Sequence, residues 1–169
     1  MIHLDESEIN QIRDSESWVV QNTESNLNNN VGVTDYKVLG RNIMLGTDGM
    51  HSDMLRSAKA VFLTGQPAEN IDMSTVYKRF RNVHRYIQEN KFEGDEDNNL
   101  VILDYDSPTE LNEENYLGHF IYGLEARHVE SVISSGRLVY HDRKLMTMDE
   151  EDILSFSREM ANKLWDKMR

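Results

Sequence analysis

Two short apolar segments constrain the fold of this chain more than any other feature. Trp18-Val19-Val20 and residues 42–47 are typical of buried strands, and a helical apolar pattern follows the second one. The continuous apolar strands of a parallel sheet need cover on both faces. Two strands with their helices cannot provide it, so the first ninety residues predict an α/β structure that is incomplete by itself.

Helices are predicted around these two strands. Glu8, three positions after Asp5, completes a capping-box pattern and predicts a helix over residues 5–14. We expect Ser52 to cap the helix that follows the second strand. The amide-rich stretch over residues 21–30 is too polar for a regular element and predicts a long loop.

The chain changes character after about residue 92. A charged stretch over residues 93–99 is typical of a surface turn and indicates a domain junction. We therefore predict two parts, residues 1–92 and residues 93–169. The second part is predicted to be β-rich, with a closing helix capped at Thr147. Its predicted strands are residues 100–103, 120–122, 129–134 and 137–140.

The charge balance excludes several classes of partner. Thirty acidic residues stand against 18 basic ones, and the formal net charge of -12 repels phosphate backbones and anionic lipid. We therefore expect neither a nucleic-acid nor a membrane partner. One basic cluster, on a helix predicted over residues 74–90, is interpreted as a solvated face. Its members are Lys78, Arg79, Arg81 and Arg85.

The absence of cysteine and of membrane-directing signals bears on location. No thiolate metal site, disulfide framework or cysteine nucleophile is available to this chain. The first residues lack the basic and apolar regions of a signal peptide, and no apolar run approaches the length of a membrane span. We expect a cytoplasmic protein.

Asp48 is the strongest candidate for chemistry. It follows the second buried strand within Gly46-Thr47-Asp48-Gly49, and catalytic groups of α/β folds lie at the carboxyl ends of strands. A carboxylate there can bind a metal ion or accept a proton from activated water. The plainer interpretation is a turn whose aspartate binds only backbone. His51 and Asp53 could face the same edge, but surface or capping roles are more common for such residues.

A second acidic pattern competes with the first. Leu100-Val101-Ile102-Leu103 leads into Asp104-Tyr105-Asp106, and phosphoaspartyl transferases place a nucleophile and an acid in this way. Pro108 stands where that family expects Thr or Val, and no later lysine and acidic pair is evident. An acidic turn after a strand is the better interpretation.

Several segments taken together are similar to a known family. They are residues 3–6, 21–26, 46–49, 100–106, 118–123 and 129–137. In order and spacing they resemble the C-terminal portion of the metal-dependent amidohydrolase superfamily, nearest to the SsnA-type aminohydrolase and chlorohydrolase/deaminase branch. The resemblance implies the last two β/α units of a (β/α)₈ TIM-like barrel, strands seven and eight with their helices, over residues 1–92. It also implies part of a small β-sandwich with a C-terminal helix over residues 93–169.

The resemblance also implies roles for individual residues. Asp48 matches the aspartate that ends the eighth barrel strand, which in the family contacts the catalytic metal and moves a proton for the attacking water. Asn22, Ser25 and Asn26 match a loop after the seventh strand that shapes the substrate-binding mouth. Gln21 stands where the family usually has histidine, and Thr23 replaces a proline, which leaves the substrate class open.

The family's histidine ligands all fall before this sequence, and His3 is not one of them. The resemblance therefore implies part of a hydrolase of C–N bonds, of deaminase or aminohydrolase type, acting on a small nitrogenous compound. Its cofactor would be a divalent metal, zinc or else iron, held mostly by residues outside this chain. Its partners would be that substrate, the missing barrel part in cis or in trans, and a second copy in a homo-oligomer. The alternative is a non-catalytic interaction or dimerisation module.

Overall fold

A computed structural model describes residues 3–93 and 98–169, and these divide into two compact units. The first unit comprises residues 3–93 together with residues 105–126. The second comprises residues 98–104 and 127–169. The predicted boundary near residue 92 differs from this division, because residues 105–126 return to the first unit. The predicted junction over residues 93–99 lies partly outside the described residues.

The first unit contains a pair of parallel strands and the helices around it. Its elements are α1 (Glu6–Asp14), β1 (Val19–Gln21), α2 (Thr23–Asn28), β2 (Ile43–Leu45), α3 (Met54–Glu69), α4 (Met73–Glu89) and α5 (Tyr116–Gly118). A 3₁₀ turn over Tyr36–Leu39 precedes β2, and a π-helical turn over His119–Gly123 continues α5. Strands β1 and β2 pair in register, with Val19 opposite Ile43 and Gln21 opposite Leu45. This is the predicted α/β pairing.

Local sequence rules account for most of these boundaries. The backbone N–H of Glu8 donates to the Asp5 side chain and that of Asp5 to the Glu8 side chain, which confirms the predicted capping box. The cap of α3 is Asp53, not Ser52, since Asp53 accepts the Arg56 N–H over 3.0 Å. Residues 21–30 are not all loop either. The short helix α2 forms there with Thr23 and Ser25 buried, which local polarity does not reveal.

Apolar side chains of the first unit form two clusters. One joins β2, α3, α4 and the π-helical turn through Leu45, Ala58, Val61, Phe62, Ile71, Val76, Phe120 and Ile121. The other consists of Val19, Tyr36, Leu39 and Ile43, with α1 packed against it. The predicted strand over residues 120–122 is wrong, because Phe120 and Ile121 enter the first cluster from a helical turn. Short apolar runs suit a buried strand or a buried helix equally well.

The second unit is a single antiparallel sheet followed by a helix. Its elements are β3 (Leu100–Leu103), β4 (Val129–Ser134), β5 (Arg137–His141), β6 (Lys144–Leu145) and α6 (Glu150–Met168), and the strand order is β3-β4-β5-β6. The predicted β4–β5 hairpin is confirmed. The cap of α6 is Asp149, not Thr147. Among the described residues of this unit only Ser131 is buried, so one sheet is present and not two packed layers.

No helix within residues 3–93 and 98–169 combines the length and the apolar character needed to cross a bilayer.

Candidate active site

The carboxyl ends of β1 and β2 place the candidate residues at one edge of the parallel pair. The ladder continues past the strands, because Gly46 N donates to Gln21 O over 3.1 Å. The chain then leaves β1 into α2 and leaves β2 into the turn that contains Asp48. Parallel strands bring their carboxyl ends to the same edge, which is where α/β folds bind ligands.

Asp48 presents an exposed carboxylate held by two donors. Ser25 Oγ donates to Oδ2 over 2.7 Å and Gly49 N donates to Oδ1 over 2.8 Å. The hydroxyl of Ser25, and after it the Gly49 N–H, hold the pKa of Asp48 below its ordinary value. The backbone of Asp48 is left-handed, with φ of 53°, a conformation that aspartate tolerates better than most residues. The result is an oriented, ionised carboxylate at the strand edge.

The three residues predicted to line a substrate mouth have different surroundings. Ser25 is buried and contacts Asp48, while Asn26 Nδ2 donates to the hydroxyl of buried Tyr36 over 3.3 Å. Asn22 Oδ1 is buried without a hydrogen-bond partner. It packs against Gly46, where an added Cβ would lie 2.3 Å from that oxygen. The structure therefore joins Ser25 to Asp48 and directs Asn26 towards the core.

A second polar cluster lies on the same two connections, and sequence reasoning missed it. Glu24 Oε2 lies 2.7 Å from His51 Nε2, and Glu24 Oε1 lies 2.8 Å from Arg56 Nη2. The backbone N–H of Asp53 donates to His51 Nδ1 over 3.0 Å, so Nε2 carries the proton given to Glu24. Both ring nitrogens of His51 are thus engaged within the fold. His51 and Arg56 lie 27 and 32 positions after Glu24 in the chain, so no local sequence pattern predicts these contacts.

Gln21 enters a buried charged network instead of facing solvent. Arg79 Nη1 donates to Gln21 Oε1 over 2.9 Å, and both terminal nitrogens of Arg79 bind Glu69, over 2.7 and 2.8 Å. Gln21 Nε2 donates to Thr23 Oγ1 over 3.2 Å. Arg79 is 4% exposed, so its assignment to a solvated helix face is wrong. Its charge is balanced by the buried carboxylate of Glu69.

The residues present offer one metal ligand and not a complete set. Within residues 3–93 and 98–169, no three His, Asp or Glu side chains cluster so that they could hold a metal ion. Catalytic zinc normally has three protein ligands. His119 is occupied by the hydroxyls of Tyr105 and Thr109, at 2.8 and 3.0 Å. The exposed carboxylate of Asp48 could supply one ligand of such a site.

The competing acidic pattern has no comparable setting. The strand that leads into Asp104, β3, is an edge strand of an antiparallel sheet. The backbone N–H of Asp104 donates to His128 O over 2.7 Å, which continues that sheet by one residue. No carboxyl end of a parallel strand lies there, in contrast to the edge that carries Asp48.

Comparisons with known proteins agree with the resemblance. No protein-family model matches the chain. A 5-methylthioadenosine/S-adenosylhomocysteine deaminase of Aquifex aeolicus is 28% identical over 99% of this chain and 42% of its own length. The enzyme of the same name from Syntrophobacter fumaroxidans is 25% identical, over 95% and 40%. A 5'-deoxyadenosine deaminase of Methanococcus vannielii is 28% identical, over 94% and 40%.

A solved structure is similar in fold. An adenosine deaminase from Xanthomonas campestris with bound zinc superposes with a TM-score of 0.79 at 21% identity, over 98% of this chain and 42% of its own. The predicted resemblance to amidohydrolase-type deaminases is confirmed by these relatives. The chain spans about two fifths of the length of the curated relatives that it matches.

Proposed function

We propose that this chain forms the C-terminal portion of a metal-dependent deaminase that hydrolyses a C–N bond. The similarity in fold to a solved adenosine deaminase and the sequence similarity to deaminases support this proposal. In it, β1 and β2 are the seventh and eighth strands of a (β/α)₈ barrel, and the antiparallel sheet of the second unit is part of a flanking β-sandwich. The exposed edge of the β1–β2 pair would continue into the barrel strands that precede this sequence.

The observation that carries the proposal is the oriented carboxylate of Asp48. The carboxylate is ionised at neutral pH and exposed, so it can accept a proton from the attacking water. Ser25 and Gly49 fix both carboxylate oxygens and so limit the side chain to one orientation. A divalent ion, zinc or else iron, would supply water activation when bound. Asp48 would be one of its ligands, and the remaining ligands would come from the rest of the polypeptide.

The relatives suggest a substrate class. Their names specify adenosine-derived nucleosides, so we propose that the substrate is a small nitrogenous compound with an exocyclic amine, of nucleoside type. Asn22 and Ser25 lie at the strand edge where such a compound would bind. Gln21 would not contact it, because its side chain is held by Arg79 and Thr23. The cytoplasmic location expected from the sequence stays a prediction.

The size of the native polypeptide is the first test. An antibody against residues 147–169 should detect a band more than twice 19.7 kDa in source cells, as expected for a deaminase that carries this chain at its end. A band at 19.7 kDa would instead favour the interaction module, which would need no histidine ligands.

The role of Asp48 is tested on the same native polypeptide. We expect Asp48→Asn to abolish ammonia release from 5'-deoxyadenosine or 5-methylthioadenosine, because the amide cannot accept the proton. Asp72→Asn is the matched control, since Asp72 is also a hydrogen-bonded aspartate with a lowered pKa but caps α4. It should retain activity. Equal activity in the Asp48→Asn variant would remove Asp48 from the mechanism.

A further inference from the structure

The C-terminal helix α6 carries large apolar side chains that are exposed to solvent among the residues that the structure describes. None of the residues over Glu150–Met168 is buried. Phe156 is 61% exposed, and Leu164 and Trp165 are each 55% exposed. Side chains of this size in solvent are unfavourable, and a contiguous set of them marks an interaction surface.

The apolar residues of α6 share one side of the helix. At about 100° per residue they fall within about half of the helix circumference. We call this set the α6 stripe; it consists of Ile153, Leu154, Phe156, Met160, Ala161, Leu164, Trp165 and Met168. The opposite side carries Ser155, Glu159, Asn162 and Asp166. A stripe that runs the length of the helix suits another helix laid along it.

Charge is distributed unevenly along the same helix. The first turn is acidic, with Glu150, Glu151 and Asp152. The end of the helix is basic, with Lys167 in the last turn and Arg169 after it. Two such helices would repel each other side by side in the same direction. In opposite directions, each acidic turn would lie against the partner's basic end.

We propose that the α6 stripe binds the α6 stripe of a second copy of this chain, in antiparallel orientation. Charge complementarity favours a second copy as the partner. Because α6 is acidic at its start and basic at its end, two antiparallel copies place opposite charges against each other at both ends. With the two-fold axis near Met160, Phe156 lies opposite Leu164 of the second copy. Glu151 lies opposite Arg169 on one flank of the stripe, since the 18 residues between them make five turns.

Existing ion pairs of the helix do not oppose this arrangement. Lys163 pairs with Glu159 over 2.6 Å and Arg169 pairs with Asp166 over 3.9 Å, and all four side chains are more than half exposed. Exposed pairs of this kind contribute little. Arg169 can therefore exchange Asp166 for a carboxylate of the second copy.

The stripe is tested by light scattering of the native polypeptide that carries this chain, during size-exclusion chromatography. We expect the unmodified protein to have about twice the mass of one such polypeptide. Phe156→Asp places a charge in the stripe and should raise the dissociation constant at least about thirtyfold, the loss typical of an interface aromatic. Ser155→Asp is the matched control, since it adds the same charge one residue away on the opposite side, and it should remain dimeric.

The direction of pairing is tested by charge reversal. Glu151→Lys with Asp152→Lys, and separately Lys167→Glu with Arg169→Glu, should each give monomers, because like charges then face each other. Mixing the two variants should restore a dimer, since the basic first turn of one meets the acidic end of the other. Circular dichroism of each variant checks that the helix is retained.

Three results would overturn the proposal. The first is a monomeric unmodified protein, which would leave the stripe to be covered by another part of the same polypeptide. The second is a dimer that survives Phe156→Asp, which would place the interface elsewhere. The third is a mixture of folded charge-reversed variants that stays monomeric. None of these measurements depends on deaminase activity. The pairing of the α6 stripes is therefore tested independently of the proposed function.

Discussion

The hydroxyl of Ser25 donates a 2.7 Å hydrogen bond to Oδ2 of Asp48, across 23 residues of sequence. A residue of α2 thereby fixes a carboxylate that follows β2. The two residues come from the connections after neighbouring parallel strands, so the bond ties together the two loops that would border a catalytic site. It is also the largest cause of the lowered pKa of Asp48, ahead of the Gly49 N–H.

Removing that hydroxyl should raise the pKa of Asp48. In Ser25→Ala the carboxylate keeps only the Gly49 N–H as donor, so its charged form is less stabilised. Titration of the carboxyl carbons by nuclear magnetic resonance should show the Asp48 midpoint moving up towards the ordinary value of 3.8. The Asp72 midpoint serves as the internal reference and should not move. An unchanged Asp48 midpoint would show that Ser25 does not set its charge state.

Gly46 should tolerate no side chain. A Cβ at this position would lie 2.3 Å from Asn22 Oδ1 and 2.5 Å from Val20 Cγ1, so Gly46→Ala must push β1 and its following loop away from β2. We expect a loss of about 1–3 kcal/mol in the free energy of unfolding, measured in urea. Gly49→Ala, three residues on, meets nothing within 4 Å and should be nearly neutral. Equal stability of the two variants would contradict the close packing at Gly46.

Arg79→Met should destabilise the first unit strongly. It leaves the buried carboxylate of Glu69 and the amide of Gln21 without their donor. Removing one member of a buried ion pair costs about 3–5 kcal/mol, which urea unfolding can detect. Arg81→Met, on an exposed position of the same helix, should change stability by less than about 0.5 kcal/mol. The double variant Arg79→Met with Glu69→Leu should recover part of the loss. Similar unfolding of the Arg79 and Arg81 variants would refute the network's role.

Asp72 should make the free energy of unfolding depend on pH in the acidic range. Its side chain accepts the Thr75 N–H over 2.7 Å, and this bond holds its pKa below 3.8 in the folded state. The stabilisation is therefore complete above about pH 5, declines as the pH falls past the unfolded-state pKa, and is lost below the lowered folded-state pKa. At pH 7, Asp72→Ala should cost about 1 kcal/mol, as for other helix caps. Asp72→Asn should keep the cap and lose this part of the pH dependence. If the free energy of unfolding depended on pH in the same way in the unmodified protein and in Asp72→Asn, this prediction would be contradicted.

Local rules in the sequence predicted much of the fold. The capping box at Asp5 and Glu8, the β4–β5 hairpin and the long helices α3, α4 and α6 follow from patterns a few residues long. Asp48 was predicted as a candidate site residue in the same way, because an aspartate beside glycine after an apolar strand is a local signal. Helix caps and hydrophobic periodicity involve residues that are close together in the chain. Their patterns can therefore be recognised directly in the sequence.

Tertiary structure alone decided the rest. Arg79 has the polarity of a surface residue, and only Glu69 and Gln21, 10 and 58 residues away, allow it to be buried. The pairing of Ser25 with Asp48 and of Glu24 with His51 depends on the parallel registration of β1 and β2. Such contacts carry no local periodicity, because their energies depend on which distant groups the fold brings within hydrogen-bond distance. The sequence therefore predicted Asp48 as the candidate carboxylate, and the packing of two strand ends determined how that carboxylate is held.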